Sequence, residues 1–145
     1  MAIDVYINFN GNCRDAVEFY AQVFRTEKPK IMTFGDMPPD PKFSIPVEAK
    51  NLILHALLNI NGSNVMFSDV FPGSPFTQGD NISLVIGSKD IDEIKCLFNK
   101  IKEGGTVGMD LQETFWSKCY GSVTDRFGIG WQFSLDSSDM RIDDV

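Results

Sequence analysis

The chain has 145 residues, 43% of them hydrophobic and 23% charged, which is enough for one globular domain with a proper core. Its formal net charge of −7 at pH 7 argues against nucleic acid and against anionic membrane surfaces, because both select basic proteins. The spacing of Cys13, Cys96 and Cys119 fits neither a disulfide framework nor a zinc site. No signal-peptide pattern and no membrane-length apolar run is present, so we expect a cytoplasmic protein.

The first half of the chain predicts one helix and four strands. Apolar residues alternate over residues 3–9, which indicates a strand, and Asn12 is placed to cap a helix that ends near Phe24. Three further strands are predicted over residues 30–34, 52–60 and 65–70, the last two joined by an Asn61-Gly62 hairpin turn. The proline-rich residues 35–50 predict an extended, mobile loop.

The second half repeats this order after a linker at residues 71–80. A strand is predicted over residues 81–86, followed by a helix that Asp90 caps and Gly104-Gly105 ends. A short strand at residues 106–109 precedes a hairpin over residues 120–133. There Asp125 can accept from amides that follow it, and Gly128 and Gly130 permit a positive φ. Residues 136–145 form an acidic tail with little to bury.

Two βαβββ modules therefore predict an α+β fold, with the first module over residues 1–70 and the second over residues 81–135. Each module leaves one sheet face uncovered, so we expect the sheets to curl around a cleft. The exposed sheet edges give a physical reason for a homodimer.

Three segments carry a resemblance to a known family. They are residues 8–20 (NFNGNCRDAVEFY), 55–69 (HALLNINGSNVMFSD) and 115–131 (FWSKCYGSVTDRFGIGW). Together they resemble the vicinal oxygen chelate superfamily, which has the glyoxalase and bleomycin-resistance fold. Within it they resemble the PhnB-like branch, whose members often carry the label 3-demethylubiquinone methyltransferase. The resemblance implies the fold and leaves the activity open, because one fold hosts many functions.

Metal-using members of this superfamily hold a divalent ion with His, Glu or Gln from four strands. The corresponding positions here fall at Val5 or Tyr6, near Met66 or Ser68, at Asn81 and at Gln132. Val and Met do not ligate a hard cation, and amides are weak ligands on their own. We therefore expect no metal site. No glycine-rich cofactor fingerprint is present, and we expect no cofactor.

Two residues are candidates for catalysis. His55 lies within a predicted strand, where an imidazole can contact a ligand or transfer a proton. It can equally be a core histidine that a backbone carbonyl or Asp69 satisfies. Asp69, on the neighbouring strand, either orients His55 together with Ser68 or accepts from loop amides.

The candidate ligand-binding residues are uncharged at their tips or aromatic, which suits a neutral or mildly polar organic ligand. They are Tyr6, Asn8, His55, Ser68, Asn81, Ser83, Trp116 and Gln132. The favoured hypothesis is a metal-independent protein that binds a small organic molecule in a polar and aromatic cleft. One alternative is a drug-sequestering protein of the bleomycin-resistance type. Another is a metal-dependent glyoxalase-like lyase, isomerase or dioxygenase, with a metal site rebuilt from His55, Asp69 and Gln132.

Overall fold

The computed structural model describes residues 1–136 and divides the chain into two compact units, Met1–Thr77 and the residues from Gln78 onward. Each unit contains a strand, a helix and three further strands, in that order. The α+β fold of two βαβββ modules is therefore confirmed. Of the predicted acidic tail, only Asp136 lies within the described residues.

The first unit has strand β1 (Val5–Phe9), helix α1 (Cys13–Phe24) and strands β2 (Lys30–Thr33), β3 (Ile53–Ile60) and β4 (Ser63–Asp69). The sheet order is β1-β4-β3-β2, with β1 parallel to β4 and the other pairs antiparallel. A parallel pair needs a crossover between its strands, and α1 lies in the connection that follows β1. The helix packs on β3 and β4.

The second unit has strand β5 (Ser83–Ser88), helix α2 (Ile91–Ile101) and strands β6 (Thr106–Gln112), β7 (Tyr120–Thr124) and β8 (Gly130–Leu135). Its sheet order is β5-β8-β7-β6, with β5 parallel to β8. This is the same arrangement as in the first unit. Helix α2 packs on β5, β7 and β8.

One face of each sheet packs against the helix of its unit and forms the core. In the first unit, Ala56, Leu58 and Phe67 on the sheet are buried together with Ala16, Val17 and Tyr20 on α1. In the second unit, Trp131 and Phe133 are buried with Ile94, Phe98 and Ile101 on α2. We call the opposite side of each sheet its helix-free face. Since side chains alternate along a strand, the pairing register fixes which residues belong to that face.

Positive φ values occur at the predicted Asn61-Gly62 turn and at one of the two glycines, Gly128 and Gly130, that permit them in the second hairpin. Asn61 and Gly62 both have positive φ, at 50° and 87°, as a two-residue hairpin turn of this kind requires. Gly128 also has a positive φ, at 83°. Gly130, in contrast, is the first residue of β8 and has an ordinary strand conformation.

The two helix starts have different origins. Asp90 caps α2 as predicted, because its side chain accepts from the amides of Asp92 and Glu93. The prediction for α1 is wrong, because the side chain of Asn12 makes no capping hydrogen bond. A residue distant in sequence, Asp69, accepts from the amides at this helix start instead.

The proline-rich segment contains more structure than its composition indicates. Short 3-10 helices cover Phe34–Asp36 and Val47–Ala49, and Ala49 is fully buried. The amide of Gly35 donates to the carbonyl of Lys50 at 2.9 Å, which closes the segment into a loop with adjacent ends. The observed strands also shift slightly from the predicted ones, and β6 is longer than expected.

Candidate functional site

Tyr6 and His55 meet on the helix-free face of the first unit. Tyr6 on β1 pairs with Met66 on β4, and its side chain extends across that strand to β3. There its hydroxyl lies 3.5 Å from Nδ1 of His55, and the two ring centroids are 5.8 Å apart. Tyr6 is 46% exposed. His55 is therefore not a core histidine; it is half-buried on the side of the sheet that the helix leaves uncovered.

Asn8 and Ser68 form a second polar contact on this face. They are directly paired between β1 and β4, and the Ser68 hydroxyl donates to Oδ1 of Asn8 at 3.0 Å. Ser68 is buried, whereas Asn8 is exposed. The structure therefore brings four of the predicted ligand-binding residues, Tyr6, Asn8, His55 and Ser68, onto one sheet face.

Asp69 lies at the end of β4 and is buried, with both carboxylate oxygens occupied by backbone donors. Its Oδ1 accepts from the amides of Gly11 at 2.9 Å and Cys13 at 3.0 Å, and its Oδ2 accepts from the amide of Ile53 at 2.9 Å. Of the two roles considered for Asp69, these contacts support acceptance from loop amides. The group that contacts the His55 ring in place of Asp69 is the Tyr6 hydroxyl.

A chain of hydrogen bonds crosses three strands on the helix-free face of the second unit. The hydroxyl of Tyr120 on β7 donates to Oε1 of Gln132 on β8 at 2.5 Å. Nε2 of Gln132 then donates to the hydroxyl of Ser83 on β5 at 2.7 Å. Both predicted residues, Ser83 and Gln132, thus belong to one network of uncharged groups. We call Tyr120, Gln132 and Ser83 the amide relay.

Tyr120 is a member of this site that the sequence analysis did not single out. The hairpin register places Tyr120 opposite Ser134, so it shares a face with Gln132, which is two residues away on β8. The strand alternation that selected Gln132 would have selected Tyr120 if it had been applied to both strands of the hairpin.

An aromatic cluster adjoins the amide relay. The ring of Trp116, in the connection between β6 and β7, meets the ring of Tyr120 edge to face at 5.3 Å. Phe115 meets Trp116 in the same manner at 4.7 Å and is 94% exposed. A Phe exposed to this extent contributes little to a core, so the cluster offers an accessible aromatic surface.

Asn81 does not lie in the strand in which it was predicted. It was expected in the first strand of the second module, but β5 begins at Ser83 and Asn81 lies in an exposed bend before it. The corresponding strand residue on the helix-free face is Ser83, which pairs with Gly130.

Carboxylates are scarce in both sheets. Within residues 1–136, the eight strands contain two acidic side chains, Asp69 and Asp110. The same part of the chain contains no group of three or more His, Cys, Asp or Glu side chains arranged to hold a metal ion. The helix-free faces instead carry amides, hydroxyls, one imidazole and the Lys30 ammonium, and an ammonium is not a metal ligand.

Cys13 is not a candidate nucleophile. The side chain is fully buried at the start of α1. Burial, reinforced by the nearby Asp69 carboxylate, raises the pKa of the Cys13 thiol from 9.0 to about 12. The thiolate, which is the reactive form, is therefore suppressed at neutral pH.

Comparison with known proteins gives a consistent family assignment. The model of the family described as 3-demethylubiquinone-9 3-methyltransferase matches residues 2–134. The protein YjdN of Escherichia coli is 32% identical over 141 residues, which cover 93% of this chain and 95% of YjdN. Among the described residues, no helix is long and apolar enough to span a membrane.

Solved structures show the same fold. Protein PA1353 from Pseudomonas aeruginosa has a TM-score of 0.82 at 34% identity, covering 94% of this chain and 98% of its own. A mutant of the fosfomycin resistance protein FosX from Listeria monocytogenes, solved with Mn(II) and 1S,2S-dihydroxypropylphosphonic acid, has a TM-score of 0.66 at 10% identity. That comparison covers 99% of this chain and 97% of FosX. At 10% identity, the likeness to FosX concerns the fold alone.

Proposed function

We propose that this protein binds a small organic molecule without a divalent metal ion. The chain belongs to the PhnB-like 3-demethylubiquinone-9 3-methyltransferase family of the vicinal oxygen chelate superfamily. The observation that carries the proposal is the amide relay beside an accessible aromatic cluster. Aromatic surface with a few convergent polar groups is the usual composition of a small-molecule site.

The amide relay suits a ligand that forms hydrogen bonds and carries no strong charge on the part that contacts the relay. Tyr120, Gln132 and Ser83 are all uncharged, and each retains hydrogen-bonding capacity beyond the two bonds described. The ring of Trp116, held edge to face against Tyr120, can stack on a planar ligand. We therefore propose a planar, hydrogen-bonding ligand for the helix-free face of the second unit.

The donor set does not fit the divalent metal of the superfamily. A hard cation prefers carboxylate oxygens or several imidazoles, and the chain has a single histidine. Of the residues from which a metal site could be rebuilt, Asp69 accepts three backbone amides and Gln132 is held between two hydroxyls. Asp69 is directed at the start of α1 and the amide of Gln132 is a weak ligand on its own, so we derive no metal-assisted step.

Metal independence is tested by elemental analysis of untagged protein, together with thermal unfolding in the presence and absence of a chelator. We expect no stoichiometric divalent ion and an unchanged Tm. A divalent ion at about one per subunit, with a Tm that the chelator lowers, would overturn this part of the proposal and favour the metal-dependent lyase, isomerase or dioxygenase.

Ligand binding is tested by equilibrium dialysis with 2-naphthamide, a planar neutral probe with an amide group. We expect saturable binding that Trp116→Ala weakens by about tenfold, which corresponds to about 1.4 kcal/mol. Asn99→Ala is the matched control, because Asn99 is exposed on α2. Absence of binding, or equal loss in both variants, would overturn the assignment of this face as the binding surface.

A further inference from the structure

The helix-free face of the first unit differs in charge from the chain as a whole. The chain carries a net charge of −7. Yet the strand residues that the pairing register places on this face include Lys30 and His55, and none of them is an acid. Asp69, the one carboxylate in the four strands, faces the helix start and is occupied by backbone amides. A sheet face that carries a lysine, a histidine and no acid can attract an anion even though the protein as a whole is acidic.

Lys30 and His55 are close enough to act on one ligand. Lys30 pairs with Leu57 and Met32 pairs with His55, so Lys30 and His55 are diagonal neighbours on antiparallel strands. Such neighbours are separated by about 7–8 Å, which long side chains can bridge. Among the described residues, the titratable group in contact with His55 is Tyr6 from β1, and the register places Met66 and Ser68 of β4 on the same face.

Because Tyr6 contacts His55, protonation of the His55 imidazole determines whether the Tyr6 hydroxyl can donate a hydrogen bond to a ligand. When the imidazole is neutral with an unprotonated Nδ1, the Tyr6 hydroxyl donates to that nitrogen, and the hydroxyl proton is then not available to a ligand. When the imidazole is protonated, Nδ1 becomes the donor and the Tyr6 proton is released for another acceptor. Protonation therefore adds both a positive charge and a free hydroxyl donor to the same place.

From these observations we infer that the Tyr6–His55–Lys30 surface binds the acidic group, a carboxylate or a related oxyanion, of a small organic ligand, with uptake of a proton on His55. The inference rests on the proposed small-molecule binding and adds a second binding surface, on the first unit, with its own chemical class of ligand. Linkage requires the effect to be reciprocal: the anion favours the protonated imidazole, and acidification favours binding of the anion.

The test compares 2-naphthoate with 2-naphthamide, which share the ring system and differ in charge. We expect 2-naphthoate to bind about 5-fold or more tightly at pH 5.5 than at pH 8.0, within the usual range of coupling between two binding events. Binding of 2-naphthamide should change little over the same range. In wild-type protein at pH 7, 2-naphthoate should move the NMR signals of the single imidazole toward their protonated positions.

Three variants separate the contributions of His55, Tyr6 and Lys30 to the binding of 2-naphthoate. His55→Gln should remove the pH dependence of 2-naphthoate binding, and Tyr6→Phe should reduce it. Lys30→Gln should weaken 2-naphthoate binding at all pH values and leave its pH dependence in place. Binding of 2-naphthamide in every variant serves as the control for folding.

The outcomes distinguish this inference from the proposed function. If 2-naphthamide binds but 2-naphthoate is neither favoured at low pH nor sensitive to His55→Gln, the inference is overturned and small-molecule binding stands. If neither probe binds to wild-type protein, the proposed function fails and the inference fails with it.

Discussion

Asp69 and Cys13 join the end of strand β4 to the first turn of helix α1, through a 3.0 Å hydrogen bond from the Cys13 amide to Asp69 Oδ1. The same carboxylate also holds the amides of Gly11 and Ile53. The first amides of a helix have no partner within the helix, and a carboxylate there also interacts favourably with the helix dipole. One buried side chain thus fixes the positions of β3, β4 and α1 relative to one another.

Asp69→Asn should destabilise the protein by roughly 2–4 kcal/mol. An amide retains one acceptor oxygen but presents its NH2 group to backbone donors, so at least one charge-assisted bond is lost and buried donors are left unpaired. Urea unfolding followed by circular dichroism measures the change. Asp110→Asn, in the exposed part of β6, should change stability by less than about 0.5 kcal/mol. Equal effects of the two substitutions would contradict the role assigned to Asp69.

The thiol of Cys13 should make stability fall at alkaline pH. Its pKa rises from the ordinary value of 9.0, which applies to the unfolded chain, to about 12 in the folded protein. Below pH 9 the thiol is protonated in both states. Between pH 9 and 12 the unfolded chain loses this proton while the folded chain keeps it, so the free energy of unfolding decreases as pH rises.

The contribution of Cys13 to the pH dependence of stability can be measured by comparing wild-type protein with cysteine variants. One group contributes a slope of at most about 1.4 kcal/mol per pH unit in this window. Cys13→Ala should therefore lose less stability than wild-type protein between pH 8 and pH 11 in urea unfolding experiments. Cys96→Ser should follow the wild-type curve, since Cys96 is exposed. Parallel curves for Cys13→Ala and wild type would show that the thiol does not contribute.

Much of the fold was predictable because its signals are local. The alternation along β8, the Asn61-Gly62 turn and the Asp90 cap each depend on residues within a few positions of one another. The start of α1 was not predictable in this way, because its acceptor, Asp69, is 56 residues from Cys13 in sequence. The two 3-10 helices of the proline-rich segment were not predictable in this way either, because the ends of the segment meet through a hydrogen bond between Gly35 and Lys50.

For the candidate site, the sequence predicts on which face of the sheet a residue lies, but it does not predict which other side chains that residue contacts. Strand periodicity placed Tyr6, Asn8, Ser83 and Gln132 opposite the apolar rows, and the registers agree with this. Which side chains touch depends on pairing between strands distant in sequence. The Tyr6–His55 contact spans 49 residues and crosses an intervening strand, so no local pattern contained it.

Thiol reactivity should distinguish the three cysteines. Cys96 is exposed on α2, whereas Cys13 and Cys119 are buried. Exposure of the thiolate controls the reaction rate, so a disulfide reagent at pH 8 should modify one thiol rapidly in native protein and three in urea. Cys96→Ser should abolish the rapid phase. A rapid phase that persists in this variant would show that one of the buried thiols becomes accessible in the native state.

Gly121 allows α2 to approach β7 closely, and a side chain at this position should be destabilising. A Cβ atom there would lie 2.9 Å from a ring carbon of Phe98, 2.9 Å from a methyl carbon of Leu111 and 3.0 Å from the carbonyl oxygen of Met109. Atoms cannot remain at these distances, so the Phe98 ring, the Leu111 side chain or the backbone at Met109 must shift, at a typical cost of about 1–3 kcal/mol for an overpacked core. Gly121→Ala should therefore lower the free energy of unfolding by this amount.

Ser122→Ala provides the control for Gly121→Ala, because Ser122 is the next residue on β7 but belongs to the helix-free face. Its substitution should leave stability within about 0.5 kcal/mol of wild type. The same pair of variants also separates the two sides of the sheet functionally. If the helix-free face binds the ligand, Ser122→Ala is the substitution that can change the affinity for 2-naphthamide at constant stability. Loss of stability in Ser122→Ala with none in Gly121→Ala would contradict the assignment of the two faces.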